Sequence, residues 1–292
     1  MRIIDAHVHF SSVASFEDCA ARTSLTDYSK QGYLSETAAN GVTGSVCMGL
    51  TERTPGAFPD VGAETPMLAN LADLVGLPDL EANLPAGMSI CLGINPHTLN
   101  KRSLDEIEHL ITGCGLVVGM KIYAGYYHVD ITDIVYEPVY ELAKKHDVAI
   151  VIHTGDTYSD RGLLKYAHPL CIDELAVAHP GMRIVACHMG VPWVFDACEV
   201  AAKNRDVYLD MSGMLIGDDE YIQRQAANPL LLDRYRQALV YLDNYDKILF
   251  GTDWPLVPMG TYINFCKQLI PSDAHEKVFS QNAIKVFKLQ EE

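Results

Sequence analysis

Apolar positions in this chain fall into short, nearly continuous runs, and the segments between them carry apolar residues on one face only. The runs span 2–10, 42–50, 88–94, 117–123, 148–153, 182–188, 207–212 and 247–253. Strands that read this way belong to a parallel sheet covered by helices. Helical spacing recurs between them. At 103–112, Leu104, Ile107, Leu110 and Ile111 share a face. A cap at Thr132 or Asp133 opens a helix that ends in Lys144-Lys145-His146, cations suited to the negative helix end. Further helices are expected near 172–179, 194–203, 219–243 (divided by Pro229), 260–269 and 273–287, with a short one at 35–40 stopped by Gly41. Residues 11–33 are polar and small, without periodicity. Residues 51–87 are interrupted by Pro55, Pro59, Pro66, Pro78 and Pro85 and hold one helical stretch at 66–75. A segment this long between strands reads as an inserted rim loop or lid rather than a domain. Strand–helix units in this number predict a (β/α)8 TIM barrel, with 1–292 as one domain. A doubly wound open sheet is the alternative, but no G-x-G-x-x-G turn follows the first strand.

The opening strand, Arg2-Ile3-Ile4-Asp5-Ala6-His7-Val8-His9-Phe10, carries the first chemical signal. With a period of two, Asp5, His7 and His9 share one face and Ile4, Ala6, Val8 and Phe10 the other. Buried polar groups without partners are costly, so such a face points to a bound ion. His-x-His alone is a weak pattern. The wider signal is positional: Lys121, His153, His188 and Asp253 also stand at or near the C-terminal ends of predicted strands. In a barrel those ends form one rim, where residues distant in sequence converge into a site. A single histidine ending an apolar strand is an ordinary core or rim residue, but this repetition points to a metal centre. His97, His109, His146, His168, His179 and His275 lie away from strand ends and read as surface or structural residues.

Charge narrows the partners. With 22 Lys+Arg against 38 Asp+Glu, the formal net charge of −16 disfavours nucleic acid and anionic membrane surfaces. Charged and histidine residues in the first nine positions do not suit a signal peptide, and no apolar run approaches the roughly 18 residues of a membrane span. The cysteines, Cys19, Cys47, Cys91, Cys114, Cys171, Cys187, Cys198 and Cys266, form no C-x-x-C pair and read as reduced, buried thiols of a cytoplasmic protein.

Asp5-Ala6-His7-Val8-His9, His153-Thr154-Gly155, His188-Met189-Gly190 and Gly251-Thr252-Asp253-Trp254-Pro255 together resemble the amidohydrolase superfamily, most of all its aminocarboxymuconate-semialdehyde decarboxylase-like branch. The resemblance runs from residue 3 to about 255. It implies one divalent metal, Zn²⁺ above Mn²⁺, Fe²⁺ or Ni²⁺, held by His7, His9, His153 and Asp253. It also implies catalytic roles for Asp253 in proton transfer and His188 as base or electrostatic stabiliser. Asp5 receives no metal bond and becomes a buried supporting carboxylate. In two-metal relatives a lysine on the fourth strand is carboxylated and bridges the ions. Lys121 is compatible with that, but the one-metal branch favours an unmodified ammonium that holds a substrate carboxylate. Tyr123 and Trp254 are further substrate-binding candidates, with Tyr126, Tyr127 and His128 on the same rim loop.

The activity expected from this resemblance is hydrolysis of an amide, ester or lactone in a small carboxylated molecule by a metal-bound hydroxide. The rival is non-oxidative decarboxylation of an unsaturated or aromatic acid at the same centre. A metal-dependent deoxyribonuclease is disfavoured by the acidic balance and by Lys121, where that pattern wants a carboxylate. A metal-free binding protein would leave the ligand set unexplained. The expected partner is a small-molecule substrate, with a homodimer as the family's common assembly.

Overall fold

Eight strands pair in sequence order, every pair parallel: β1 (Ile3–Val8), β2 (Val42–Met48), β3 (Met88–Ile94), β4 (Val117–Ile122), β5 (Ala149–Ile152), β6 (Ile184–Ala186), β7 (Val207–Asp210) and β8 (Ile248–Leu249). The ring is closed past the short β8. Ala6 N–H donates to Phe250 O at 2.9 Å, Asp253 N–H to His7 O at 2.8 Å and His9 N–H to Trp254 O at 2.7 Å. This computed structural model describes residues 1–11, 13–50 and 84–290. The lid expected at 51–87, with its helix at 66–75, falls almost wholly outside the described residues.

Among the described residues the α-helices are α1 (Ala14–Cys19), α2 (Lys30–Asn40), α3 (Lys101–Gly113), α4 (Glu137–His146), α5 (Leu170–Ala178), α6 (Val194–Lys203), α7 (Asp219–Ala226), α8 (Pro229–Leu242), α9 (Met259–Leu269) and α10 (Asn282–Phe287). Local chemistry sets their starts. Asn100 accepts from Arg102 and Ser103 backbone N–H groups and Ser103 Oγ answers the Asn100 N–H, so α3 begins two residues before its periodic face. Pro229 opens α8, as its missing N–H allows. Helix α1 was not legible as periodicity, because Phe16 and Cys19 are its only buried apolar residues in a Ser-rich stretch.

Two apolar layers result. Strand residues facing outward pack against the helices in one large core. Inside the barrel, Ile4, Ala6, Met48, Cys91, Val151, Val185 and Leu249 form a second cluster with Ala283, Val286 and Phe287 of α10. Each fully buried Val, Leu, Ile, Phe or Met side chain among them contributes roughly 1.5–3 kcal/mol. Arg183, just ahead of β6, donates to Val286 O at 2.8 Å, which holds α10 across the N-terminal ends of the strands. The opposite end stays free for polar residues.

The opening strand departs from strict alternation. Its pairing with β2 shifts register between Asp5 and Val8. Ile4 and Ala6 therefore belong to the barrel interior, although His7 and His9 also reach the cavity above it. The irregularity spends one extra residue in turning the histidines inward. Among the described residues no helix is long and apolar enough to cross a membrane. All eight cysteines are free, and all but Cys171 are buried.

Candidate metal centre

The strand ends gather a polar cluster at one mouth of the barrel. His9 Nε2 lies 3.0 Å and His7 Nε2 3.3 Å from the same atom, Asp253 Oδ1. Asp253 is fixed by its backbone, through its N–H bond to His7 O and a left-handed conformation at φ 66°. The residue before it is tied to β1 from the other side: Thr252 N–H and Oγ1–H both donate to the Asp5 carboxylate, at 2.9 and 2.6 Å. Asp5 thus joins the first and last strands and is absent from the cavity wall. The His9 ring rests on Phe16, with centroids 4.3 Å apart.

Hydrogen bonds on the far side of the His7, His188 and His153 rings decide what faces inward, whereas His9 Nδ1 is buried without a partner. His7 Nδ1 lies 2.9 Å from the Asp210 carboxylate, His188 Nδ1 3.1 Å from Ser212 O, and His153 Nε2 2.9 Å from Asp156 O. Carbonyl and carboxylate oxygens only accept, so these nitrogens carry the protons. The remaining nitrogens present lone pairs: His7 Nε2 toward Asp253 Oδ1, and His188 Nε2 toward His153 Nδ1 at 3.1 Å. His7 Nε2 and Asp253 Oδ1 are buried without a hydrogen-bond partner. Lone pairs aimed at one another in a dry site repel, and a cation between them removes the repulsion. The donor set of imidazole and carboxylate fits a divalent metal. Among the described residues His7, His9 and Asp253 form one group close enough to hold an ion, His7, Cys187 and His188 form a second beside it, and Glu137, Glu141 and His179 form a third elsewhere. His153 stands beside the first group, paired with His188 on the wall of the same cavity of about 390 Å³.

Residues 4–289 match the family described as Amidohydrolase. The chain belongs to the amidohydrolase family. Among solved structures it is similar to 5-carboxyvanillate decarboxylase from Sphingomonas paucimobilis, with a TM-score of 0.65, 18% identity and 99% of each chain covered. A dihydroxybenzoic acid decarboxylase from Polaromonas sp. JS666, with bound manganese and 2-nitroresorcinol, gives a TM-score of 0.66 at 16% identity over 100% of this chain and 97% of that one. A probable 2-pyrone-4,6-dicarboxylic acid hydrolase from Acinetobacter baumannii, with citric acid bound, gives 0.62 at 15% identity over 99% and 100%. These likenesses establish the barrel fold. No curated protein sequence matches the chain.

In this member of the family the rings favour a cation. Burial is the leading cause that lowers the pKa of His7, His9 and His153 and brings His188 down to about 4. Burial also opposes charge on Asp253, and it is the charge of the His7, His188 and His9 rings, when they are protonated, that holds its carboxyl well below the usual range. A lowered histidine pKa keeps the ring neutral further into acid, so protons displace a metal late. Affinity for Zn²⁺ or Mn²⁺ is expected to fall from about pH 7.5 to 5.5 by clearly less than the roughly thousandfold that three ordinary imidazoles would lose. Chelator competition across that range checks this, and the larger loss contradicts it.

Lys121, only 1% exposed, lines the cavity floor, and its Nζ donates to Cys187 Sγ at 2.7 Å. Among the described residues no carboxylate lies within ion-pair distance of it. Tyr123 and Tyr126 line the wall, with Tyr123 Oη donating to Gly49 O at 2.8 Å. Trp254 does not reach the cavity. It is fully buried between Tyr28 and Tyr33, both 5.2 Å away by ring centroid, and its Nε1–H donates to Glu36 Oε1. The peptide turns its indole outward, so the expected pocket wall is a core anchor for α2. Tyr127 packs against His97, and His128 bonds Arg161 O, so neither lines the cavity.

Sequence reading missed Asp210, Ser212 and Gly213. Asp210 and Ser212 end an apolar strand, the same signal that singled out the histidines. Gly213 has φ 58°, and a Cβ there would lie 2.6 Å from His188 Nδ1 and 2.8 Å from Asp253 Oδ2. Gly213→Ala is expected to push both side chains off position and lower activity by about a hundredfold. The soluble yield should fall as well, because a left-handed alanine is strained. Wild-type kcat/KM in this variant would show that the cradle has slack.

Proposed function

We propose that this amidohydrolase is a metal-dependent hydrolase that opens an ester, lactone or amide in a small carboxylated molecule. The observation that carries the reading is the convergence of His7 Nε2, His9 Nε2 and Asp253 Oδ1 on one point, with His188 and Lys121 on the wall of the same cavity. His7, His9 and Asp253 would hold a divalent ion with His153 beside them, and Zn²⁺ suits that donor set. Such an ion, when bound, supplies Lewis acidity for the reacting carbonyl and acidifies nearby water.

The chain's own groups do the rest. Asp253 takes the proton of the attacking water and returns it to the leaving group. His188, a neutral ring with Nε2 toward the cavity, accepts a hydrogen bond from that water or steadies the substrate oxygen. The Lys121 ammonium, lacking a carboxylate partner, holds the substrate's carboxylate, and Tyr123 and Tyr126 shape the wall.

Decarboxylation is the second reading. It is favoured by the apolar side of the cavity, where Phe16, Met214, Leu215 and Leu256 suit a planar ring. The decarboxylases of S. paucimobilis and Polaromonas share the fold and make hydroxylated aromatic acids the substrates to test. Metal-loaded protein assayed against lactones and hydroxybenzoates separates the two. Water incorporated into a ring-opened acid supports hydrolysis, and carbon dioxide released without incorporation assigns the site to decarboxylation. One metal equivalent is expected, and two would bring His153, His188 and a carboxylated Lys121 into a second site.

A further inference from the structure

Asp210, the last residue of β7, is fully buried beneath the cavity and collects donors that come from three strand ends. Its Oδ2 accepts from His7 Nδ1 at 2.9 Å. Its Oδ1 accepts from the backbone N–H of His188 at 2.9 Å, that of Ser212 at 3.0 Å, and the Ser212 hydroxyl. Because that hydroxyl proton is committed to Asp210, Ser212 Oγ meets His188 Nδ1 at 2.9 Å and His7 Nδ1 at 3.0 Å as an acceptor. Ser212 O is a second acceptor at His188 Nδ1. Both rings therefore see only acceptors at Nδ1, and a carboxylate has no proton to give.

We infer that Asp210 is a positioning residue that selects the Nδ1–H tautomer of His7 directly, and that of His188 through Ser212. Both Nε2 lone pairs are then turned toward the cavity before any ion arrives. The bond from His188 N–H also holds the left-handed turn at His188 (φ 62°) and Met189 (φ 47°) that aims the second ring. The inference rests on His7 being a metal ligand. Outer partners of ligating histidines set ring orientation and basicity, and their loss commonly costs 10–100-fold in metal affinity.

Asparagine and alanine separate this role from simple support of the fold. In Asp210→Asn the amide oxygen stays with the His188 and Ser212 N–H donors, because turning the NH₂ there would set donors against donors. The NH₂ must then face His7 Nδ1, which can accept only by moving its own proton to Nε2. That puts an N–H where a metal would bind. In Asp210→Ala no donor is fixed at His7 Nδ1: the Ser212 hydroxyl, freed from Asp210, can rotate and accept there, so the original tautomer is permitted though no longer enforced.

The test is Zn²⁺ affinity by chelator competition, with His7 tautomers read by ¹⁵N chemical shifts in apo wild-type protein. Asp210→Asn should bind Zn²⁺ at least about tenfold more weakly than wild type and more weakly than Asp210→Ala. The reverse order, with the isosteric Asn nearly normal and Ala poor, is what a structural prop gives and overturns the inference. If neither variant folds, the wild-type spectrum decides: a His7 proton on Nδ1 supports the inference and one on Nε2 overturns it. If wild type takes up no divalent ion, the metal reading falls, and the same spectrum still decides what Asp210 does.

Discussion

Asp253→Asn is expected to abolish stoichiometric metal retention and to lower kcat/KM by about 10³–10⁴-fold, with the fold intact. Two losses combine. The amide is a far poorer ligand than the carboxylate whose Oδ1 faces His7 and His9, and it cannot take up a proton from water. The backbone bond from Asp253 N–H to His7 O does not involve the side chain, so barrel closure survives. Apo stability gives a sharper sign. In the metal-free wild type, lone pairs on His7 Nε2 and Asp253 Oδ1 face each other, and an asparagine NH₂ would relieve that repulsion. The apo variant should therefore unfold at the same temperature as apo wild type or above it. Adding Zn²⁺ at about 100 times its Kd should stabilise only the wild type, by about 2.7 kcal/mol. Equal stabilisation of both proteins would remove Asp253 from the metal site, and a variant with a tenth of wild-type activity would remove it from proton transfer.

What the sequence made legible divides along physical lines. Strand order and parallel pairing were readable because two-sided burial leaves continuous apolar runs, as in the 148–153 and 182–188 stretches. That His7, His9, His188 and Asp253 meet at one cavity was readable because such polar endings recur on several runs, where a single one would have meant little. Trp254 was misplaced because adjacency along a chain says little about direction. The turn that fastens Asp253 to β1 sends the next side chain outward to Tyr28 and Tyr33. Alternation failed on β1 for a similar reason, since a register shift between Asp5 and Val8 cannot be seen in one strand without its neighbour. Asp210 and Gly213 show the other limit. Their importance lies in what they do to His7, His188 and Asp253, residues far away in sequence.

Lys121→Met should separate binding from stability with opposite signs. Lys121 places an ammonium at the cavity floor with a thiol, Cys187, as its hydrogen-bond acceptor. A buried charge without a counter-ion costs the empty protein free energy, and a methionine of similar length refills the space without that cost. The apo variant is expected to be more stable, and each kcal/mol gained would raise Tm by roughly 2–4 °C. Substrate binding should move the other way. If a substrate carboxylate completes the missing ion pair, its loss costs about 2–5 kcal/mol, or roughly 30- to 4,000-fold in kcat/KM, and chiefly through KM. An uncharged analogue of the same substrate should lose less than about tenfold, because the groups around Asp253 and His188 are unchanged. Measuring both substrates with both proteins forms a cycle whose coupling energy isolates the ammonium–carboxylate pair. A fall in Tm with equal losses for both substrates would instead make Lys121 a structural member of the barrel floor, and the substrate's charge would then have to be read by another residue. A gain in Tm with a loss confined to the charged substrate would mean that the barrel keeps a destabilising charge because the ligand, not the fold, supplies its partner.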